Sequence, residues 1–366
     1  MRLDEPFEGM PQNVYGAILQ KALAENIPIY AYLELTYRCN LSCVHCYVVS
    51  QPDRREFSTE EVKEALDQLA DLGTLYIAFT GGEILTRPDF FEVARYARKK
   101  QFALRLFTNG TLITPQVADQ IKVLYPLDVE VSVYGACPSV HDAVTTKKGS
   151  FESTLRGICL LRERDIPVIF KTPVLNTILD ELQNIKALAR DMGARLISNP
   201  TLIPDEAGST HPLTYRLSDE DLMRYYARYF EEEESPQSLD DPPCGAGRMS
   251  LTVSPFGDIF PCQVIRTPIG NLRERSLRAI WAEPEGVLLG RIRALRRRDF
   301  TDCTECPYWD HCTLCIGMAL SEGKDVLSPS DEVCRQAKCL TMALQQQRSR
   351  TPRRKVVPEL DTYHDT

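Results

Sequence analysis

The stretch Glu34-Leu-Thr-Tyr-Arg-Cys39-Asn-Leu-Ser-Cys43-Val-His-Cys46-Tyr47 carries three cysteines separated by three and then two residues, directly after an apolar run at 29–35. Placed on one loop at the end of a strand, three thiolates at this spacing can converge on one metal centre. A tetrahedral structural zinc site, or a cluster held wholly by protein, takes four ligands, so a three-cysteine loop leaves one position for something else to bind. The competing reading is a buried thiol beside part of a zinc ribbon. Three further stretches weigh against it: Thr80-Gly81-Gly82-Glu83, Phe107-Thr108-Asn109-Gly110, and Val131-Ser132-Val133-Tyr134-Gly135. Each puts turn-forming residues at the C-terminal end of an apolar run, the rim on which α/β barrels build their sites.

Positioning these residues calls for alternating elements. Hydrophobic spacing predicts a helix over 13–26 and strands over 29–36, 74–79, 102–107, 127–133, 167–174 and 194–199. Helices over 58–72, 88–100, 115–124, 150–164 and 180–192 separate the strands, and Ser58-Thr59-Glu60-Glu61 supplies a capping box for the first. Alternation of this kind means a parallel sheet with right-handed crossovers, without distinguishing an open sheet from a barrel. Residues 199–241 differ, with prolines, a helix-like 219–229 and the acidic run Glu231 to Glu234, which reads as a solvated helix end. The domain boundary falls at 234–241.

A second cysteine-rich region follows. Cys244, an apolar run at 249–253, the turn Ser254-Pro255-Phe256-Gly257-Asp258 and a second short run before Cys262 make a β-hairpin that brings Cys244 and Cys262 together. Then come Cys303-Thr-Glu-Cys306, Cys312-Thr-Leu-Cys315, Cys334 and Cys339. That density points to metal, with a pair of structural zinc sites as the alternative. The chain has 13 cysteines in 366 residues, 43% hydrophobic content and a formal net charge of −8. Clustered cysteines in a reducing compartment bind metal more often than they form disulfides. The acidic balance argues against nucleic acid as a partner. No signal peptide or run of transmembrane length is evident, so the expected location is cytoplasmic, with no membrane association. Of the two isolated cysteines, Cys159 in Gly157-Ile-Cys-Leu-Leu reads as core and Cys137 falls on the rim side.

With CxxxCxxC on the first strand-to-helix loop, GGE on the second and TNG on the third, the chain resembles a radical S-adenosylmethionine (SAM) enzyme. The resemblance implies a partial (β/α)6 TIM-like barrel in which Cys39, Cys43 and Cys46 hold three irons of a [4Fe–4S] cluster, the fourth iron chelating SAM. It also implies that the backbone of Gly81, Gly82 and Glu83 receives the methionine amine, with Asn109, Ser132, Lys171 and Tyr47 as further cofactor contacts. His45 stands where the family usually has an aromatic residue, and Ile84 where GGE is usually followed by proline. The second region resembles the SPASM extension of radical SAM peptide maturases, a small cysteine-rich domain with a hairpin, helices and two auxiliary Fe–S clusters. Carried over, Cys303, Cys306, Cys312 and Cys334 hold one auxiliary cluster, and Cys244, Cys262 and Cys315 the other. The family's last CxxxC is CxxC here, and a single cysteine precedes the hairpin. The second auxiliary cluster therefore has an open iron, a non-cysteine ligand, or Cys339.

The implied layout is a helical lead-in over 1–28, the barrel over 29–234, the SPASM domain over 235–344 and a disordered tail over 345–366. The implied activity is peptide crosslinking on a ribosomal precursor peptide. Peptide epimerisation, in which Cys137 would be the hydrogen donor, and tetrapyrrole side-chain modification are alternatives; a non-enzymatic metal-binding regulator is a more distant one. Many crosslinking members begin with a peptide-binding domain, and the short lead-in here points instead to a separate leader-binding protein. A flavodoxin or ferredoxin is the expected electron donor.

Overall fold

The computed structural model describes residues 12–230, 238–282 and 287–350. Helix α1 (Gln12–Glu25) leads into strand β1 (Tyr30–Thr36). Then follow α2 (Thr59–Asp71), β2 (Tyr76–Gly81), α3 (Phe90–Lys99), β3 (Ala103–Thr108), α4 (Pro115–Leu124) and β4 (Asp128–Ser132). After β4 come α5 (Pro138–Thr145), α6 (Ser150–Arg162), β5 (Val168–Pro173), α7 (Leu182–Asp191), β6 (Arg195–Asn199) and α8 (Asp219–Tyr229). Strands β1 to β6 pair in parallel in chain order, the partial barrel that the alternation and the resemblance imply.

Strand alternation sorts the side chains. In β4, Val129 and Val131 join Leu124, Ile158 and Leu161 in the core beneath the helices, so Asp128, Glu130 and Ser132 take the concave face. In β1, Ala31, Leu33 and Leu35 go to the helices and Tyr30, Tyr32 and Glu34 to the other side, every one of them buried. The helices start where their sequences say. Ser58 and Glu61 form the capping box of α2, and the Thr114 side chain caps α4 with Pro115 in its first turn.

The auxiliary region contributes β7 (Ser250–Val253), β8 (Asp258–Phe260) and β9 (Gly270–Asn271). Short helices α9 (Leu277–Trp281), α10 (Leu288–Ala294), α11 (Thr301–Thr304) and α12 (Ile316–Ser321) precede the long α13 (Asp331–Arg350). The hairpin expected at 249–260 is present, but it is not a sheet of its own. Strand β7 pairs in parallel with β1, Tyr30 opposite Ser250 and Leu33 opposite Val253. One nine-stranded sheet results, in the order β6-β5-β4-β3-β2-β1-β7-β8-β9, and Leu251 and Val253 share the barrel's core. Helix α13 packs along α8 through Leu340, Ala343 and Leu344 against Leu222, Tyr225 and Tyr226.

Two expectations need correction. Cys159 is exposed rather than core, because α6 buries Phe151, Thr154, Ile158 and Leu161, and Cys159 falls off that stripe. Residues 345–350, expected to open a disordered tail, belong instead to α13, which is helical to Arg350. Helix α5 adds an element between β4 and α6, in a stretch to which the sequence pattern assigns none. The acidic run Glu231 to Glu234, the first half of the 234–241 boundary and the tail beyond 350 lie outside the described residues.

Candidate functional site

The rim is built from the ends of β1, β2 and β3. The turn after β2 has no room for side chains: a Cβ on Gly81 would stand 2.3 Å from the Thr36 carbonyl oxygen, and one on Gly82 2.3 Å from that of Arg38. This close approach lets the Gly82 N–H donate to Thr36 O at 2.7 Å and the Glu83 N–H donate to Arg38 O at 2.9 Å. The GGE turn is thereby laced to the root of the cysteine loop. Glu83 turns its carboxylate inward, where Thr108 Oγ1 donates at 2.8 Å, the Asn109 N–H at 2.7 Å and the Leu85 N–H at 3.1 Å. Burial pushes this carboxyl up, and those three donors hold the shift back. Asn109 points its amide at Cys39, Nδ2 to Sγ 3.9 Å, and donates to Asn40 Oδ1 at 2.9 Å. Three loops thus form one hydrogen-bonded unit.

On that unit Cys39, Cys43 and Cys46 lie within electrostatic reach of one another. Burial, and then charge on its two neighbours, pushes the Cys43 thiol up to about 12, and Cys39 and Cys46, which keep part of their surface in solvent, are raised as well. Burial favours the protonated form of such thiols, and a cationic metal centre bound among them would make them thiolates. The donor set therefore fits an iron–sulfur centre with one position left over.

Cys303, Cys306, Cys312 and Cys334 lie within mutual electrostatic reach, and Cys244 and Cys262 lie within reach of each other. Cys315 stands between the two sets: its charge acts on Cys244 and Cys262, and that of Cys312 acts on it. Burial, with its neighbours' charge, pushes Cys262 up to about 12 and Cys244 to about 11. A small cavity walled by Cys303, Cys312, Cys315 and Cys334 separates α11 from α13. Cys339 is buried elsewhere, in the α8–α13 seam beside Tyr226, with no other cysteine among the charges acting on it. Among the described residues no three His, Cys, Asp or Glu side chains close tightly enough to hold a single ion; the cysteine sets are looser than that.

The remaining candidates scatter. Ser132 is half-buried at the end of β4. Lys171 reaches across the concave face to Glu130 at 2.7 Å, its ammonium 3.5 Å from the Phe107 ring centre. Beside them Arg105 stands 3.4 Å from Asp128. Cys137 begins α5, with its sulfur 3.2 Å from Ser139 Oγ. The Tyr47 hydroxyl is turned to Glu34, 3.3 Å away. Sequence reasoning missed the partner of that carboxylate, Arg266, although a glutamate inside the apolar Tyr-Ala-Tyr-Leu-Glu-Leu-Thr strand is itself a sign that a cation must come to it.

A parallel half-barrel with an open three-cysteine loop on its rim, its sheet continued by a cysteine-rich hairpin, defines an enzyme built around iron–sulfur centres. The profile of the radical SAM superfamily matches residues 33–204, and that of the SPASM iron–sulfur cluster-binding domain matches residues 244–307. The chain belongs to the radical SAM superfamily and carries a SPASM domain; it is an enzyme, and its cofactors are SAM and iron–sulfur clusters. Its relatives include the AdoMet-dependent heme synthase of Methanosarcina barkeri, 30% identical over 82% of this chain and 95% of that protein. The antilisterial bacteriocin subtilosin biosynthesis protein AlbA of Bacillus subtilis is 30% identical over 81% of this chain and 69% of AlbA. In fold the chain is similar to Streptococcus suis SuiB bound to precursor peptide SuiA, with a TM-score of 0.68 at 16% identity over 91% of this chain and 83% of SuiB. No helix among the described residues is long and apolar enough to cross a membrane.

Proposed function

We propose that this chain is a peptide maturase that forms an intramolecular crosslink in a ribosomally made precursor peptide. Cys39, Cys43 and Cys46 hold the cluster that binds SAM. Cys303, Cys306, Cys312 and Cys334 hold one auxiliary cluster, and Cys244, Cys262 and Cys315 hold the other. When bound, the first cluster with SAM supplies a 5′-deoxyadenosyl radical that takes hydrogen from an unactivated carbon, and the auxiliary clusters supply electron-accepting sites. The observation that carries the reading is the continuous sheet, in which β7 pairs directly with β1 and β8, the strand that runs into Cys262, pairs with β7. Crosslinking is a net oxidation, and this arrangement puts an electron-accepting region next to the substrate space.

The chain's own residues do the positioning. Gly82 and Glu83 lock the cysteine loop to the sheet, and Asn109 steadies Cys39. Arg105, Asp128, Glu130 and Lys171 make a charged concave wall that orients the substrate. A separate leader-binding protein and a flavodoxin or ferredoxin complete the system. Similarity to AlbA and the SuiB fold supports a peptide substrate. Alignment over 95% of a heme synthase favours a second reading, side-chain modification of a tetrapyrrole, with Arg105 and Lys171 meeting its acidic groups.

Anaerobic co-expression with a short peptide encoded beside the gene, followed by accurate mass in ordinary and heavy water, separates these. Loss of two hydrogens is the expected result. An unchanged mass with deuterium gained in heavy water replaces crosslinking with epimerisation and makes Cys137 the hydrogen donor. An untouched peptide together with an altered tetrapyrrole moves the assignment to the second reading.

A further inference from the structure

Glu34 is fully buried, and its compensating cation arrives from the auxiliary segment. Arg266, four residues past Cys262, places Nη1 3.1 Å from Glu34 Oε1 and Nη2 2.9 Å from Oε2, a two-pronged fit. The same guanidinium pairs with Glu206, from the segment after β6, donates to the Tyr37 hydroxyl oxygen at 2.6 Å and lies 4.2 Å from the Phe260 ring centre. Tyr37 Oη is also 2.8 Å from Glu34 Oε2 and 2.7 Å from Glu206 Oε1. Tyr47 joins twice, its hydroxyl to Glu34 at 3.3 Å and its carbonyl accepting the Glu206 N–H at 3.0 Å.

Tyr37 lies two residues before Cys39, and Tyr47 is the residue after Cys46. Both ends of the cysteine loop are therefore tied to one buried node whose cation, among the described residues, is supplied by the auxiliary segment. Two carboxylates share that guanidinium. Without it they would face each other in a low-dielectric setting and push the Glu206 segment, and Tyr47 with it, away from β1.

We propose that Arg266 is a positioning residue for the first cluster loop. By gripping Glu34 and Glu206 it fixes Tyr37 and Tyr47, and so makes SAM affinity at Cys39, Cys43 and Cys46 depend on the docking of the auxiliary segment. This deepens the functional reading above and rests on it.

The test uses full-length protein reconstituted with iron and sulfide, in parent, Arg266→Lys and Glu206→Gln forms. Arg266→Lys keeps the charge but loses the fork, and Glu206→Gln keeps the shape but loses one carboxylate. The readouts are iron and sulfide per chain, the change that SAM induces in the paramagnetic resonance spectrum of the reduced cluster, and the SAM Kd. At parental iron content, Arg266→Lys is expected to weaken SAM binding about 10- to 100-fold and blunt the spectral change. Glu206→Gln should show a smaller effect in the same direction. If both variants keep parental iron, Kd and spectral response, Arg266 stabilises the fold without positioning the loop and the proposal is overturned. If Arg266→Lys fails to fold, Glu206→Gln decides alone. A parent spectrum that does not respond to SAM overturns the assignment of the first site and the proposal with it, whereas a responsive parent with responsive variants overturns only the role of Arg266.

Discussion

At the scale of single residues, acids in this chain have three different environments. Glu83 is satisfied by three donors, Glu34 by an arginine, and Asp128 by neither in full, since its Oδ1 is buried with no hydrogen-bond partner. Burial pushes the Asp128 carboxyl from 3.8 up to about 6 despite the nearby Arg105 guanidinium. The folded state then holds this proton more tightly than the unfolded chain. Its stabilising contribution is full below about 4 and is lost as pH rises through about 6. Asp128→Asn is expected to be about 1–3 kcal/mol more stable than the parent at neutral pH, with the difference vanishing in acid. Denaturant melts at the two ends of that range measure it. Among the cysteines, Cys43→Ala should abolish 5′-deoxyadenosine formation while the auxiliary iron remains; a variant that still cleaves SAM would remove Cys43 from the first site.

At the scale of elements, β7 is the joint between the two cysteine regions. Leu251 is fully buried in the barrel's core, so Leu251→Ala should cost about 2–5 kcal/mol. The loss should appear as one cooperative transition shared by barrel and hairpin, and a separate auxiliary transition in denaturant melts would contradict the continuous sheet. The local pattern of the sequence made most elements legible. All six barrel strands and the capped helices lie within about two residues of their expected bounds, because period-two and period-3.6 patterning acts locally. The pairing of β7 with β1 was not legible, since register between strands more than 200 residues apart leaves no local trace. Helix α5 escaped for a related reason: eight residues with polar and apolar positions intermixed do not declare a period. At the site, the three-cysteine loop was legible from spacing, whereas the division of the later cysteines into two sets came only from the family resemblance. Arg266 was not legible, because an isolated arginine becomes significant only once Glu34 is known to lie against it.

At the scale of the whole molecule, the sheet settles a matter beyond catalysis. Strand β1 is buried along its entire length, with β2 on one side and β7 on the other. Take β7–β9 away and β1 becomes a bare outer strand, lined by Tyr30, Tyr32 and Leu33, with a row of unsatisfied backbone donors and acceptors. Such strands recruit one another into aggregates. The auxiliary segment is accordingly also the seal on the barrel's open side: a chain cut short of Ser250 would forfeit solubility as well as clusters, and grafting this segment onto another barrel would succeed only where the new host offers it a matching strand.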